Sequence, residues 1–209
     1  MQVSQKRCTF GLGQGRRNSE KEPTINYSEN TRSINLQDIE IKDYYPGVVG
    51  KITELHAVYY HENWGFDMTF ETQVGGELSE FVRKFNKNRD GLWIAVKNGD
   101  FAGAIAIDGA DALGDGARLR WFIVDPQFQG CGIGKNLITQ AIVFCQQKQI
   151  PKLFLWTFKG LEDARRLYEA VGFQLCEESQ VAQWGQTIRE QKYELELPVS
   201  KNNIQPLPG

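Results

Sequence analysis

Residues 123–135, Ile-Val-Asp-Pro-Gln-Phe-Gln-Gly-Cys-Gly-Ile-Gly-Lys, have the types and spacing that point most directly to chemistry in this chain. An apolar strand end runs through Gly130, Gly132 and Gly134 into the start of an amphipathic helix. Glycines let a backbone approach a ligand closely, the first N–H groups of a helix lack partners within it, and the helix dipole favours negative charge there. The segment therefore reads as an anion site that a pyrophosphate would fit. It is not the dinucleotide fingerprint, which places Gly-x-Gly-x-x-Gly after a first strand with an acid about 20 residues on. Nor does it end in the Gly-Lys-Ser/Thr of a P-loop.

Other chemistries find less support. His56 and His61 stand five apart on an expected helix, so their imidazoles do not share a face as the pair in His-Glu-x-x-His does. Cys8, Cys131, Cys145 and Cys176 have neither the density of a disulfide framework nor zinc-site spacing, so reduced thiols and no metal are expected. A net charge of −2 over 209 residues offers no general attraction to nucleic acid or anionic lipid. There is no stretch of roughly 18 apolar residues and no secretory h-region, which leads to the expectation of a soluble, cytoplasmic protein.

The elements that must position residues 123–135 follow a legible order. Residues 1–33 are polar with few large apolar side chains and are expected to form a disordered arm. The Gly11, Gly13, Gly15 run within them has no strand before it and no helix after it, and reads as linker. A single domain is expected over 34–198, and an irregular tail over 199–209. A strand at 39–43 precedes two helices, the first with Ile52, Leu55, Tyr59 and Trp64 inward and the second with Leu78, Phe81, Val82 and Phe85. Strands at 92–96 and 101–107 flank Asn98-Gly99, a type I′ hairpin signal.

A strand at 118–124 leads into the glycine segment and a helix with Ile133, Leu137, Ile138, Ala141, Phe144 and Cys145 on one face. A short strand at 153–157 then precedes a helix with Leu161, Ala164, Leu167, Tyr168 and Val171 inward, capped by Gly172. Strands near 173–178 and 188–197 complete the chain. The fold class is α/β in the broad sense (α+β), with a mixed central sheet of about seven strands and about four helices around a right-handed strand-helix-strand unit.

Gln129, Gly132 and Gly134 match a pattern that resembles the acetyl-CoA signature of the GNAT (GCN5-related N-acetyltransferase) superfamily, [Arg/Gln]-x-x-Gly-x-[Gly/Ala]. Residues 164–173, Ala-Arg-Arg-Leu-Tyr-Glu-Ala-Val-Gly-Phe, resemble a second motif of that family in the expected order. The domain looks closest to the acetyltransferase half found fused to MarR-type regulators, on Tyr60-x-x-x-Trp64-Gly65, Leu155-Trp156-Thr157, Trp184-Gly185-Gln186 and Tyr193-Glu194-Leu195. No winged helix accompanies it in this sequence, so a DNA-binding role does not carry over.

The resemblance implies a GNAT fold in which strands four and five splay and acetyl-CoA lies in the gap. The pantetheine arm would bond to strand four at Phe122, Ile123 and Val124, with the pyrophosphate on Gln129, Gly130, Cys131, Gly132, Ile133, Gly134 and Lys135. The Asn that many relatives carry three residues before the motif alanine is Leu161 here, and Gln129 replaces the commoner Arg, leaving Lys135 as the replacement for its charge. By the same resemblance Tyr168 protonates the departing thiolate. Periodicity alone would make Tyr168 a core aromatic. Cys131 falls at a variable position of the signature, and direct transfer needs no acyl-enzyme.

The implied activity is acetyl transfer to a primary amine, with a small-molecule acceptor preferred. A non-catalytic acyl-CoA-binding regulator and a protein or peptide N-acetyltransferase are the alternatives. Trp64, Glu71 and Trp184 are the acceptor-site candidates, and Glu62, Asp67 and Glu71 are weak candidates for a base. Beyond the amine acceptor, the partner to expect is a second copy in a homodimer.

Overall fold

The computed structural model describes residues 39–198, so the expected arm and tail lie outside the described residues. Strands β1 (Ile39–Lys42), β2 (Gly91–Lys97), β3 (Asp100–Asp108), β4 (Ala117–Val124), β5 (Lys152–Phe158), β6 (Gln174–Gln183) and β7 (Gln186–Glu196) form one sheet in the order β1-β2-β3-β4-β5-β7-β6. Helices α1 (Val48–Trp64), α2 (Met68–Arg83), α3 (Ile133–Gln147) and α4 (Glu162–Ala170) flank it. All neighbouring strands are antiparallel except β4 and β5, the parallel pair joined through α3. No helix among the described residues is long and apolar enough to cross a membrane.

Local chemistry explains most boundaries. Asn98 and Gly99 both take positive φ (54° and 88°), the geometry a type I′ hairpin demands. Asp67 caps α2 by accepting the Thr69 N–H at 2.9 Å. Gly65 ends α1 in the left-handed region, its N–H bonding the His61 carbonyl at 2.9 Å.

Two cores sit on opposite faces of the sheet. One packs α3 and α4 against the strands through Leu137, Ile138, Leu153 and Tyr168. The other packs α1 and α2 through Ile52, Phe66, Leu78 and Trp121. In α1 the buried side chains are Val48, Ile52 and His56, and not the expected Leu55 and Tyr59, which lie half-buried on the flank. His56 satisfies its own turn through a 2.8 Å bond between Nδ1 and the Ile52 carbonyl, which lets a polar ring take a core position.

Strand β4 breaks its own alternation. Ala104 pairs with Ile123 but Ala106 pairs with Arg120, so Trp121 and Phe122 oppose the single residue Ile105, and Trp121 has φ 45°. This bulge shifts the pleat by one residue. Leu119 before it and Phe122 and Val124 after it all face the α3 core, while Trp121 faces α2.

The bulge lies where β4 leaves β5: the two pair only at Ala117 with Leu153 and Arg118 with Phe154. From Leu119 onward the strands splay and one edge of β4 has no ladder partner. The last hairpin is longer than expected, pairing from Gln174 with Glu194 to Gln183 with Gln186. Its first strand is exposed along most of its length, so it lacks the apolar alternation that would have marked it.

Candidate active site

The glycine segment forms the mouth of the splay. A 3-10 turn at Pro126–Phe128, held by Asp125 accepting the Gln127 N–H at 2.8 Å, carries the chain from β4 to the loop. Gly130 and Gly132 both lie in the left-handed region (φ 74° and 78°). The first helical bond of α3 is from the Asn136 N–H to the Gly132 carbonyl at 3.0 Å, and no side chain caps the helix. The N–H groups of residues 130–135 thus have no partner among the described residues and are open to a ligand, with no acidic residue in the first turn to oppose an anion. The close packing of α3 rests on Gly134: a Cβ there would come within 3.2 Å of Leu167 and 3.5 Å of Phe122.

A cavity of about 560 Å³ opens above this loop. Phe122, Ile123, Val124, Gln129, Gly130, Gly132, Ile133 and Gly134 line it together with Tyr59, Tyr60 and Trp64 from α1. Gln129 donates to the Val124 carbonyl at 3.4 Å and ties loop to strand. Leu161, at the head of α4, also lines it. Two loop positions do not. The Lys135 side chain is exposed, and Cys131 turns to Lys97, whose Nζ stands 3.3 Å from its sulfur and 5.8 Å from the Phe128 ring. Lys97, at the end of β2, is a loop-side cation that sequence reading passes over, since 34 residues separate it from Cys131.

A second cavity of about 220 Å³ passes through the splay, with Leu119, Leu155 and Tyr168 of one core and Phe70, Trp121 and Phe158 of the other in its walls. It shares Tyr60, Phe122, Leu161 and Ala164 with the first. Trp184 roofs it from the turn between β6 and β7, donating its indole N–H to Gln73 at 2.9 Å and packing tilted against Phe66 and edge-on against Phe70, each 5.0 Å away between ring centroids. The Asp67 N–H bonds the Trp184 carbonyl at 3.1 Å, which pins the turn to the start of α2. Trp156 also lines this cavity.

Tyr168 lies in the wall of the second cavity, 6.0 Å from Phe122 across ring centroids. Its hydroxyl has no hydrogen-bond partner among the described residues, yet no described buried side-chain N or O atom is orphaned, so the hydroxyl must face the cavity. Burial, followed by the neighbouring Tyr60 and Tyr193, pushes its pKa well above the ordinary phenol value and keeps it protonated. Burial likewise raises the pKa of Tyr60.

His56 lines the same cavity, and burial lowers its pKa to about 4, so the ring is neutral. Of the other expected residues, Trp64 lies in the first cavity and Trp184 in the second, while Glu71 is exposed and lines neither. Asp67 is used as a cap and Glu62 faces a separate surface groove. Among the polar residues that line the second cavity, His56, Gln73, Glu77, Arg118, Arg120 and Glu190 carried no motif or spacing by which to be found.

A family model described as Acetyltransferase (GNAT) family matches residues 50–173. An uncharacterized N-acetyltransferase of Methanocaldococcus jannaschii is 26% identical over 121 residues, 56% of this chain and 54% of that protein, so the chain spans about half the length of this relative. The [ribosomal protein bS18]-alanine N-acetyltransferase of Haemophilus ducreyi is 30% identical over 109 residues, 52% of this chain and 75% of the other. Among solved structures, a Salmonella typhimurium protein crystallised with its cofactor acetyl-CoA superposes with a TM-score of 0.64 at 14% identity, covering 77% of this chain and 95% of that one. At that identity the likeness shows the fold alone. With the family match spanning loop, α3 and α4, the chain belongs to the acetyltransferase (GNAT) family.

Proposed function

We propose that this chain transfers the acetyl group of acetyl-CoA to a primary amine of a small molecule by direct attack. The observation that carries this reading is the pair of cavities meeting at Tyr60, Phe122, Leu161 and Ala164: an anion-binding mouth on one side and a separate chamber on the other. Bound acetyl-CoA supplies a thioester carbonyl for the amine to attack. The α3 N-terminus and its free N–H groups would hold the pyrophosphate. The free edge of β4 would hold the pantetheine arm, and a backbone N–H near Val124 would stabilise the charge that builds on the carbonyl oxygen, an effect worth about 3 kcal/mol.

Tyr168 is assigned the departing sulfur. A phenol held so firmly protonated acts first by donating a hydrogen bond as charge gathers there, and gives up its proton late. The carboxylate of Glu190 is assigned the proton the amine loses, since burial holds His56 neutral and makes it a poor acceptor. Cys131, turned toward Lys97, has no part in this scheme.

The Haemophilus relative is named for a protein acceptor, an alanine of a ribosomal protein. The chamber in this chain supports a small acceptor, because about 220 Å³ is below the ~300–1,000 Å³ of pockets that take drug-sized ligands. A likeness to the MarR-fused acetyltransferases rests on the sequence motifs alone and adds no DNA-binding function. The test is release of free thiol from acetyl-CoA across a panel of small amines and N-terminal peptides. Turnover with small amines supports the reading. Tight acetyl-CoA binding without release for any amine would leave a regulatory acyl-CoA-binding module instead.

A further inference from the structure

The chamber also says what its acceptor must carry. Arg118 and Arg120 stand one pleat apart on β4, on the face toward α2 and the β6–β7 hairpin, and both line the second cavity. Their circumstances differ. Arg120 is neutralised twice, by Glu77 and by Asp108 at 3.2 Å, and its guanidinium lies 4.1 Å over the Trp121 ring. Arg118 is partly buried yet forms no ion pair within 4.0 Å and no side-chain hydrogen bond among the described residues. Asp108, its cross-strand partner, is already held by Arg120.

Loss of water and the Arg120 charge both work against the protonated guanidinium of Arg118, and Glu77, Asp108 and Glu190 only partly offset them. Arginine offers five donors in a planar fork that matches a carboxylate. On β7, Glu190 lines the same chamber and also lacks an ion pair among the described residues. The chamber thus presents one uncommitted cation and one uncommitted carboxylate, the complement of an ammonium group and a carboxylate on one small molecule.

We propose that the acceptor is a small amino-carboxylate, such as a free amino acid, and that Arg118 is the residue that binds its carboxylate. This rests on the acetyltransferase reading for its turnover, but not for its binding. Arg118 sets specificity. It lies where β4 still pairs with β5, whereas the acetyl group belongs further along, where the strands have parted. A carboxylate on Arg118 would direct the amine of the same molecule toward Phe122 and Tyr168.

The experiment compares acceptors that differ only in that group, amino acids against their carboxamides and against peptides with the same first residue. It uses the purified full chain, its Arg118→Leu variant and its Arg118→Lys variant. Two readouts are taken: thiol release, and calorimetric binding of the amino acids to the CoA-loaded protein. The expected result is a preference for the carboxylate of roughly 30-fold or more in kcat/KM, expressed mainly in KM. It should vanish in Arg118→Leu and return in part in Arg118→Lys, with acetyl-CoA affinity unchanged in both.

Equal use of acids and carboxamides, better use of peptides, or a preference that survives Arg118→Leu overturns the proposal. If amino acids bind through Arg118 but release no thiol, the transfer reading fails and this assignment stands. If none binds, this assignment fails whatever the turnover with other amines.

Discussion

The two ends of the splay between β4 and β5 are built from different materials. The mouth proposed for the cofactor is mostly backbone: left-handed glycines, the uncapped start of α3 and the free edge of a strand. The chamber proposed for the acceptor is mostly side chains, brought from α1, α2, β4, β5, α4 and the β6–β7 hairpin. A ligand shared by a whole family can be held by groups that every residue carries. A ligand particular to one member needs side chains chosen for it. The mouth should therefore respond to changes in conformation and space, and the chamber to changes in chemistry.

That contrast can be broken most sharply at Tyr168, in the chamber wall beside Phe122. Tyr168→Phe removes only an oxygen, so turnover should fall by about 100 to 10,000 fold while acetyl-CoA affinity stays within error. Steady-state thiol release together with calorimetry of acetyl-CoA binding checks both halves. Undiminished turnover in the variant would return Tyr168 to the role of a core aromatic.

His56 offers the next largest effect, on stability. Its folded pKa of about 4 lies below the ordinary histidine value of about 6.5, so between these values the unfolded chain binds more protons and stability rises with pH. The contribution is complete above about pH 6.5 and is lost as pH falls toward 4, by about 3 kcal/mol. Denaturant unfolding of the protein and of His56→Leu, from pH 7.5 down to 4.5, should show the protein losing stability relative to the variant as the pH falls. Parallel curves would mean that the ring is not held neutral in the chamber.

Two glycines sharpen the account of the mouth. Gly134→Val forces a side chain against Leu167, Phe122 and Val124, so acetyl-CoA affinity should drop by roughly 10 to 100 fold, the cost of about 1–3 kcal/mol expected for overpacking. Gly130→Ala meets no atom within 4 Å and keeps only the strain of a left-handed alanine, worth about 1 kcal/mol. Its affinity should fall by about fivefold. If the two variants fell equally, conformation alone and not space would govern the loop. Thermal unfolding of each separates loss of binding from loss of fold.

The sequence by itself determined the elements and the mouth. The inward faces of α3 and α4, the Asn98-Gly99 hairpin and the glycine segment are set by near neighbours, because helical periodicity, positive φ and an uncapped helix start are local properties. Only tertiary structure decided the chamber. The bulge at Trp121 depends on how β4 packs between β3 and the gap, and it moves Phe122 from one core to the other. The length of the polar edge strand β6 comes from pairing with β7 and not from its own pattern.

His56, Arg118 and Glu190 meet at one cavity although no spacing links them, since their places come from three elements folded together. Arg120 has its charge partners and Arg118 lacks them because α2 delivers Glu77 to one and not the other. A choice of that kind is made by packing across the sheet, beyond the reach of any window of adjacent residues.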